Sequence, residues 1–508
     1  MPQEPIPFAN NQESGSDQLG GASPLAINVA VDMRGAVGRR PGIEVFDLSP
    51  DTAVAEQVVG LGPSGPTEMF TSPVIGLFAT TAGTVYAVTG SPPGTMKAYK
   101  LNTTGEPQDL TASPTSAFTG STRPTFAETE MLVLVATGRE IRRIEKKDQR
   151  FRKLANSPSA SHVVSHNLRL LANDLISSRA QINFTAPASG DQSFSGHEQW
   201  GFQVTALGTS GFFTAESRPD AVVAVHGNSN EIRVFGETST QTYLSDQKFI
   251  YSPVSSVEYG LGAANSVIAF DNQFAWLDHA RRFVVSDGRQ VTVISDPIQQ
   301  QLDEILTHED CFSYRVQNGP YDFMVWTFPT DGRTFAYQNG AGWSEWMGWD
   351  DTANNYRRFI VESHTLVPGS HDNVVGTRRL SGASYVGDVG RMRKGVTTDL
   401  GSRIPAVVRT GFLGRGTDNR KHCRSVNLAF RRGESTDTTE PTVRLRYRDD
   451  EGEWTDLTVS LGASGDRTVV VPLRSLGVYR RRQWEIAFHG TEDFLLASAV
   501  EEYEILEN

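Results

Sequence analysis

From about residue 68 the chain reads as short apolar segments in which hydrophobic and polar positions alternate with a period near two, the spacing of half-buried strands. The segments come in groups. Val74-Ile-Gly-Leu-Phe78 is followed by Thr84-Val-Tyr-Ala-Val88, and Met131-Leu-Val-Leu-Val135 by Glu140-Ile-Arg-Arg-Ile144. His166-Asn-Leu-Arg-Leu-Leu-Ala172 comes next, then Ala221–Val225 with Glu231–Phe235. Ser266–Phe270, Phe274–Leu277 and Arg282–Val285 form another group, and Asp322–Phe328, Thr334–Tyr337 and Phe359–Val361 the last. The groups recur about every 35–50 residues, the period of four-stranded antiparallel blades. The pattern predicts an all-β chain with a β-propeller-like domain over residues 68–390. A large β-sandwich, built from strands of the same length, is the second choice.

One segment has a helical period instead. In Ser295-Asp-Pro-Ile-Gln-Gln-Gln-Leu-Asp-Glu-Ile-Leu306, Ser295 or Asp296 suits an N-cap and Pro297 a first-turn position. Ile298, Leu302, Ile305 and Leu306 fall on one face, which predicts a connector helix packed across the propeller. Near Gly390-Arg-Met-Arg-Lys-Gly395 the composition shifts to a small, basic linker. Beyond it, clean alternation returns in Ala406–Phe412, Ser425–Phe430, Thr442–Tyr447, Asp456–Leu461, Arg467–Val471 and Arg482–Phe488, predicting a C-terminal β-sandwich over residues 400–508. At the other end, residues 1–24 are polar and predict an extended arm, ordered only where a neighbour holds it. Residues 25–67 predict strands packing on the core or a neighbour, with Pro41-Gly42 as a turn signal.

Composition narrows the picture. Among 508 residues, 38% are hydrophobic and 21% charged, so wholesale disorder is excluded. The net charge of −12 argues against a protein built to grip nucleic acid, which recruits Lys and Arg for phosphate contacts. Cys311 and Cys423 have no metal-ligand or redox spacing around them and predict reduced, buried thiols. The N-terminus shows no basic-then-apolar export signal, and the apolar run Met131–Ala136 is too short to span a bilayer.

The search for chemistry returns mostly packing. No nucleophile elbow, zinc-protease helix, phosphate-binding glycine loop or calcium loop is present, so no catalytic, cofactor or metal residue is assigned. His308-Glu309-Asp310 is the tightest His-and-acid cluster, and its place after the candidate helix makes it a terminator. Arg448-Asp-Asp-Glu-Gly-Glu-Trp454 resembles the Asp-box turns of sialidase propellers, but it occurs once, in the sandwich, and reads as a hairpin turn. Residues 138–153 hold eight basic residues against three acidic ones, among them Arg142, Arg143, Lys146 and Lys147. A strand edge defended by charge accounts for them better than a DNA groove, which would interleave aromatics. Arg480-Arg-Arg482 reads the same way. Trp343, Trp346 and Trp349 surround Glu345. Alternation puts Trp343 and Trp349 on one face and Trp346 on the other, as in ordinary blade packing; a sugar platform beside a carboxylate is the competing reading.

Three regions resemble the packaged-DNA stabilisation proteins, or tail hub and tail nozzle proteins, of short-tailed (podovirus-type) phages. One is Leu25-x-x-Asn28 leading into Gly38-Arg-Arg-Pro-Gly-Ile43. The second is Pro219-Asp220, alternating aliphatics, Phe235-Gly236, a Ser/Thr pair and Tyr243, followed by Tyr259-Gly-Leu-Gly262, Phe274-Ala-Trp276 and Ile294-Ser-x-x-Ile298. The third runs from Val408-Arg-Thr-Gly-Phe412 through Asp418 and Cys423 to Trp484-Glu-Ile486. The resemblance covers residue 25 to the end. It implies a non-enzymatic structural protein of the virion tail, assembled in the host cytoplasm as a homo-hexamer below the portal and its adaptor. Such a ring forms the distal exit tube, retains the packaged genome, is the conduit for its ejection without specific DNA binding, and carries tail fibre, spike or needle proteins in some tails. It assigns no DNA gate residue. The reading from another class is a receptor- or carbohydrate-binding, even glycan-cleaving, β-propeller tail protein.

Overall fold

The computed structural model describes residues 2–8, 25–46 and 69–506, except 33, 103–105, 112–117, 188–194, 206–207, 216–219, 229–230, 246–250, 320, 382–383, 433–440 and 463–467. The alternating segments pair as antiparallel meanders, each the product of one sequence group. Sheet I holds Val74–Ala79, Val85–Gly90, Gly94–Leu101 and Phe118–Gly120, with Pro107–Asp109 on the third strand. Sheet II holds Thr125–Glu128, Leu132–Ala136, Ile141–Glu145 and Phe151–Lys153. Sheet III runs Val163–His166, Arg169–Asn173, Gln181–Phe184, Gly208–Thr214 and Gln203–Thr205. Sheet IV takes Val222–Gly227 through Tyr251–Val257, sheet V Ile268–Phe270 through Val291–Val293, and sheet VI Phe312–Asn318 through Gly342–Glu345.

Sheet VII closes the ring differently. Val361–Leu366, Asn373–Thr377 and Val389–Arg393 are local, but the next strand is Gly42–Val45, paired antiparallel with Val389–Arg393 from Gly390↔Val45 to Arg393↔Gly42. The result is a β-propeller of six successive meanders and one sheet completed from the N-terminal region. Its core is layered between neighbouring sheets; Ile75, Val88 and Met96 of sheet I, for example, pack on Val133, Val135 and Ile144 of sheet II.

The second body is the expected sandwich. One sheet orders Leu25–Ile27, Ala406–Arg409, Arg482–Phe488, Thr442–Asp449 and Thr455–Ser460. The other orders Val29–Val31, Val37–Arg39, Phe494–Ile505, Lys421–Arg432 and Thr468–Arg474. Leu428, Trp484, Phe488, Val29 and Val37 share the core between them. Leu25–Ile27 also pairs with sheet VI, Ile27 lying opposite Glu345, so the hydrogen-bonded ladder runs unbroken from propeller to sandwich.

Several expectations change. The arm is not free at its start: Gln3–Pro5 pairs with Val500–Glu502 of its own chain, and Ile6 and Phe8 are buried in the sandwich core. Two apolar side chains in an otherwise polar stretch are enough to anchor it. Residues 9–24 and 47–68 lie outside the described residues. The C-terminal portion of the sandwich starts at Ala406 and not at 400, because Asp399 pairs with Ile43 in sheet VII. His166–Ala172 is not one strand, since Asn167 and Leu168 take positive φ and turn the hairpin between Val163–His166 and Arg169–Asn173. The connector helix is short, a 3-10 turn Asp296–Ile298 followed by Gln299–Asp303; Ile298, Leu302 and Ile305 are buried, but Leu306 is exposed. Ser295 makes no cap bond; its hydroxyl accepts the Phe283 amide instead.

Pro41-Gly42 is not a turn but the crossing from sandwich to propeller. A Cβ on Gly42 would stand 2.5 Å from the Thr398 carbonyl oxygen and 2.6 Å from that of Val396, so only glycine admits the neighbouring backbone. Beside it, Arg40 is fully buried and forks onto Asp399, Nη1–Oδ1 at 3.0 Å and Nη2–Oδ2 at 2.5 Å. Its Nε donates to Asn28 Oδ1, and its face covers the Phe359 ring at 4.4 Å. Asn28 accepts the left-handed φ of 55° that Asn tolerates, donates to the Pro405 carbonyl and receives the Met347 amide. One buried cluster therefore ties sandwich strands, sheet VI and sheet VII.

Removing one partner of such a pair leaves a buried charge without its counterpart. Asp399→Ala is expected to cost about 3–5 kcal/mol of stability, and the double replacement R40M/D399L less than that. Urea unfolding followed by tryptophan fluorescence measures both; an unchanged midpoint in Asp399→Ala would remove the cluster from its structural role.

Candidate functional site: the propeller interior

In a propeller the innermost strands face a shared axis, which is where a ligand or a passage would lie. Here the first strand of every sheet, or the residues leading into it, lines one cavity of about 190 Å³: Gly76, Thr125, His162, His226, Val267, Ser313 and Glu362 come from sheets I to VII in turn. Arg123 crosses this space. It enters on the lead into sheet II, lies over the Phe312 ring of sheet VI at 3.8 Å, and donates to both the carbonyl and the carboxylate of Glu362 in sheet VII. Arg358 donates to the other oxygen of Glu362, and Arg378 stands 3.9 Å away. Burial alone would push the Glu362 carboxyl up, but Arg123, Arg358 and Arg378 together hold it below the usual carboxylate range. A pair that spans three sheets fixes the ring and narrows its centre.

Three histidines complete the lining. His162 is buried; its Nδ1 meets Ser161 Oγ at 3.0 Å, and Asn173 Oδ1 accepts the backbone amides of both Ser161 and His162. The His226 ring lies 5.5 Å from that of His162 and stands edge-on to Phe235, with no hydrogen bond at its Nε2. His364 Nε2 meets Asn373 Oδ1 at 3.0 Å, and the ring stacks on Tyr314. Desolvation pushes their pKa values down, to about 4 for His162, about 3 for His226 and about 4 for His364. At neutral pH the imidazoles are uncharged. The space is polar, closed by one ion-pair network, and far too small for a double helix, whose major groove alone is ~12 Å wide.

The residues singled out in the sequence are elsewhere, and the fold does not assemble them. Trp343, Trp346 and Trp349 are all buried, but the strand breaks at Trp346, so Trp343 and Trp349 do not share a face. Trp343 stacks on Phe283, Trp346 packs edge-on to Phe323, and Trp349 meets Tyr356 and His489. Glu345 is held by Arg333, Nε–Oε1 at 2.8 Å. No sugar platform results. His308 is buried with its Nε2 3.1 Å from the Leu302 carbonyl, ending the helix as its position implies.

The basic stretch 138–153 departs from the solvated-edge reading. Arg142 and Arg143 are buried on the third strand of sheet II, Arg142 bound to Glu140 and Arg143 to Glu145 and Glu198, while Lys146 pairs with Glu128. Arg139, Lys147, Arg150, Arg152 and Lys153 are exposed. Arg480 is exposed, but Arg482 is fully buried against Asp449, Nε–Oδ1 at 2.6 Å. Residues 448–454 do form a hairpin turn, with Asp450 and Glu451 at positive φ and Trp454 beneath Arg446 and Arg448. Both cysteines are buried and free; burial, with Glu501 nearby, pushes the Cys423 thiol up to about 12.

The stretch carrying the central resemblance also resolves into architecture. The Asp220 carboxylate accepts the amides of Glu237, Thr238 and Ser239 at 2.8–3.0 Å, and a Cβ on Gly236 would lie 2.4 Å from Asp220 Oδ2. Asp, Gly and the hydroxyl pair together make one turn of sheet IV. What sequence reading missed is the Arg123–Glu362 network and the histidine trio. Their members are spread over 256 positions, from Arg123 to Arg378, and no local spacing joins them.

No protein-family model matches the chain, and no curated protein matches it. Among solved structures, the N-terminal domain of Nup159 is similar over 73% of this chain and 100% of its own, at 9% identity and a TM-score of 0.38. The extracellular domain of the putative hybrid two-component system BT4673 from B. thetaiotaomicron is similar over 91% of this chain and 64% of its own, at 9% identity and a TM-score of 0.39. Kluyveromyces lactis Hsv2 matches over 54% of this chain and 97% of its own, at 10% identity and a TM-score of 0.30. Among the described residues no helix is long and apolar enough to cross a membrane.

The lowered histidine pKa values have a definite sign. The unfolded chain binds protons near pH 6.5 that the folded chain refuses, so the stability these groups contribute is present above pH 6.5 and is lost as pH falls toward 4. His226→Phe, at a ring already walled by Phe235 and Phe274, is expected to flatten the fall in urea midpoint between pH 6.5 and 4 relative to the parent. Parallel profiles for the two proteins would exclude His226 as a contributor.

Proposed function

We propose that this β-propeller chain is a structural, non-enzymatic component of a virus-particle tail, of the tail hub or nozzle kind found in short-tailed phages. In this reading it assembles as a homo-hexameric ring below the portal and adaptor, lines the exit tube for packaged DNA and passes that DNA on ejection. The observation that carries the reading is the place of the residues behind the resemblance. Asn28, Arg40 and Gly42 form the buried joint between propeller and sandwich, and Asp220, Gly236 and Ser239 the turn of sheet IV. Residues that set rigidity in a two-body wall suit a part that bears load.

The geometry also constrains how such a part would work. Because the space at the propeller centre is crossed by the Arg123–Glu362 pair and is far too small for a duplex, a DNA conduit in this reading lies between subunits, with the propellers as its wall. The net charge of −12, repeated around a ring, favours a neutral to acidic lumen in which phosphates are not retained. The internal pairing of Arg142, Arg143 and Lys146 supports this, since it removes three cations from any DNA-facing role. The glycan-binding alternative loses its platform with the burial of Trp343, Trp346 and Trp349.

Electron microscopy and native mass spectrometry of the purified full chain test the assembly. A six-fold ring with an open lumen is the expected outcome, and a strict monomer both alone and in particles would sink the reading. Duplex DNA should bind the ring weakly near physiological salt, with a shallow dependence of affinity on ionic strength. Tight binding with a steep salt slope would turn the tube into a DNA grip.

A further inference from the structure

Where sandwich and propeller meet, a cleft of about 210 Å³ opens beside the joint, lined among others by Arg39, Lys394, Arg431, Asp493 and Tyr321. Arg39 is the unusual member. It is 7% exposed, and its donors go to three backbone carbonyls: Nη1 to Thr397 at 2.8 Å, Nη2 to Gly490 and to Glu492 at 2.9 Å each. Its Nε has no hydrogen-bond partner, and among the described residues it forms no ion pair. Carbonyl oxygens satisfy hydrogen bonds but bring no countercharge. The neighbouring buried arginines differ, Arg40 meeting Asp399 and Arg482 meeting Asp449. Asp493 and Glu492 act on Arg39 from a distance without touching it, and a buried guanidinium with no carboxylate in direct contact remains costly unless an anion reaches it.

The cleft supplies further cations. Lys394 is exposed, its Nζ 5.2 Å from the centre of the Tyr321 ring, and Arg431 is exposed on the sandwich side. Neither forms an ion pair among the described residues. Against Arg39, Lys394 and Arg431 the lining sets one carboxylate, Asp493, because Arg40 is already neutralised by Asp399. Glu492 offers Arg39 its carbonyl, and its carboxylate also acts on Arg39 from outside the lining. Three cations against Asp493 in the lining and Glu492 behind it leave a positive excess that a phosphate-type group, with a charge of about −1.5 to −2 at neutral pH, would offset.

We propose that this cleft is a binding site for a small phosphate-type dianion, held by Arg39, Lys394 and Arg431, which bridges propeller and sandwich. Lys394 and Tyr321 belong to the propeller, Arg39 and Arg431 to the sandwich, so a bound dianion ties the two bodies across the cleft and stabilises their docking. The site is independent of any ring and of any role in a tail.

The test uses the full chain in chloride buffer, titrated with inorganic phosphate by calorimetry and by thermal unfolding. Saturable binding with a rise in unfolding temperature is expected. The double variant K394A/R431A removes two exposed side chains; it should unfold at the parent temperature without phosphate and bind phosphate at least tenfold more weakly. An equal phosphate response in parent and variant, or none in the parent, overturns the site. A short DNA duplex is the competing probe. If it displaces phosphate at lower phosphate-equivalent concentration than phosphate itself, the cleft is a polynucleotide contact and the small-dianion assignment falls.

Discussion

The structure depends on one buried guanidinium. Arg40 occupies the point where sandwich, sheet VI and sheet VII meet, and all its donors are engaged: Asp399 takes the fork, Asn28 the Nε proton, and the Pro41 and Met347 carbonyls the rest. A charge can sit there only because its partner and its hydrogen bonds are complete, and arginine is the side chain whose planar fork fits such a site. The relative placement of the two bodies follows from that geometry. Leu25–Ile27 extends it as a shared ladder, and Gly42 permits the close approach that brings Asp399 into reach.

Direct pairing of charge recurs through much of the interior. Arg123 and Arg358 on Glu362 fasten the propeller centre, Arg409 and Arg446 share Glu485 in the sandwich, and Arg415 joins Glu4 of the first strand to Glu501 of the last. Much of the basic content is thus structural. A stretch such as 138–153 looks like an electrostatic surface when read as a string, yet its acids Glu140 and Glu145 alternate with the arginines at i±2, the spacing that puts strand side chains on one face. Sequence reading saw the excess of charge; the pairing was visible only in the strand period.

Legibility followed the range of the interaction. Period-two alternation located most blade strands and the sandwich beyond residue 406, and turn composition the hairpin at 448–454, because each is a local pattern. Ile298, Leu302 and Ile305 marked the connector correctly, while Leu306 failed as the helix ended a turn early. The Trp343–Trp349 pair was misplaced because alternation assumes an unbroken strand, and Trp346 interrupts it. Nothing local could reveal that Gly42–Val45 completes sheet VII or that Arg123 reaches Glu362, since each contact joins segments separated by hundreds of residues. The resemblance carried residues of real structural weight, Asn28, Arg40, Gly42, Asp220 and Gly236, although their roles appear only once the chain is folded.

Sheet VII sets an order of events on the chain. Its fourth strand, Gly42–Val45, leaves the ribosome long before its partner Val389–Arg393, and Gln3–Pro5 waits longer still for Val500–Glu502. At ~5–20 residues per second, the earliest strands stay unpaired on the order of tens of seconds while the meanders between them form. Each meander can pair locally as it emerges, but sheet VII and the Arg40 cluster need residues 389–399, and the sandwich needs strands as late as Phe494–Ile505. A chain that has not reached residue 389 therefore lacks both the strand that pairs with Gly42–Val45 and the carboxylate that pairs with Arg40. The joint between the two bodies thus waits on a segment made more than three hundred residues after the strand it completes.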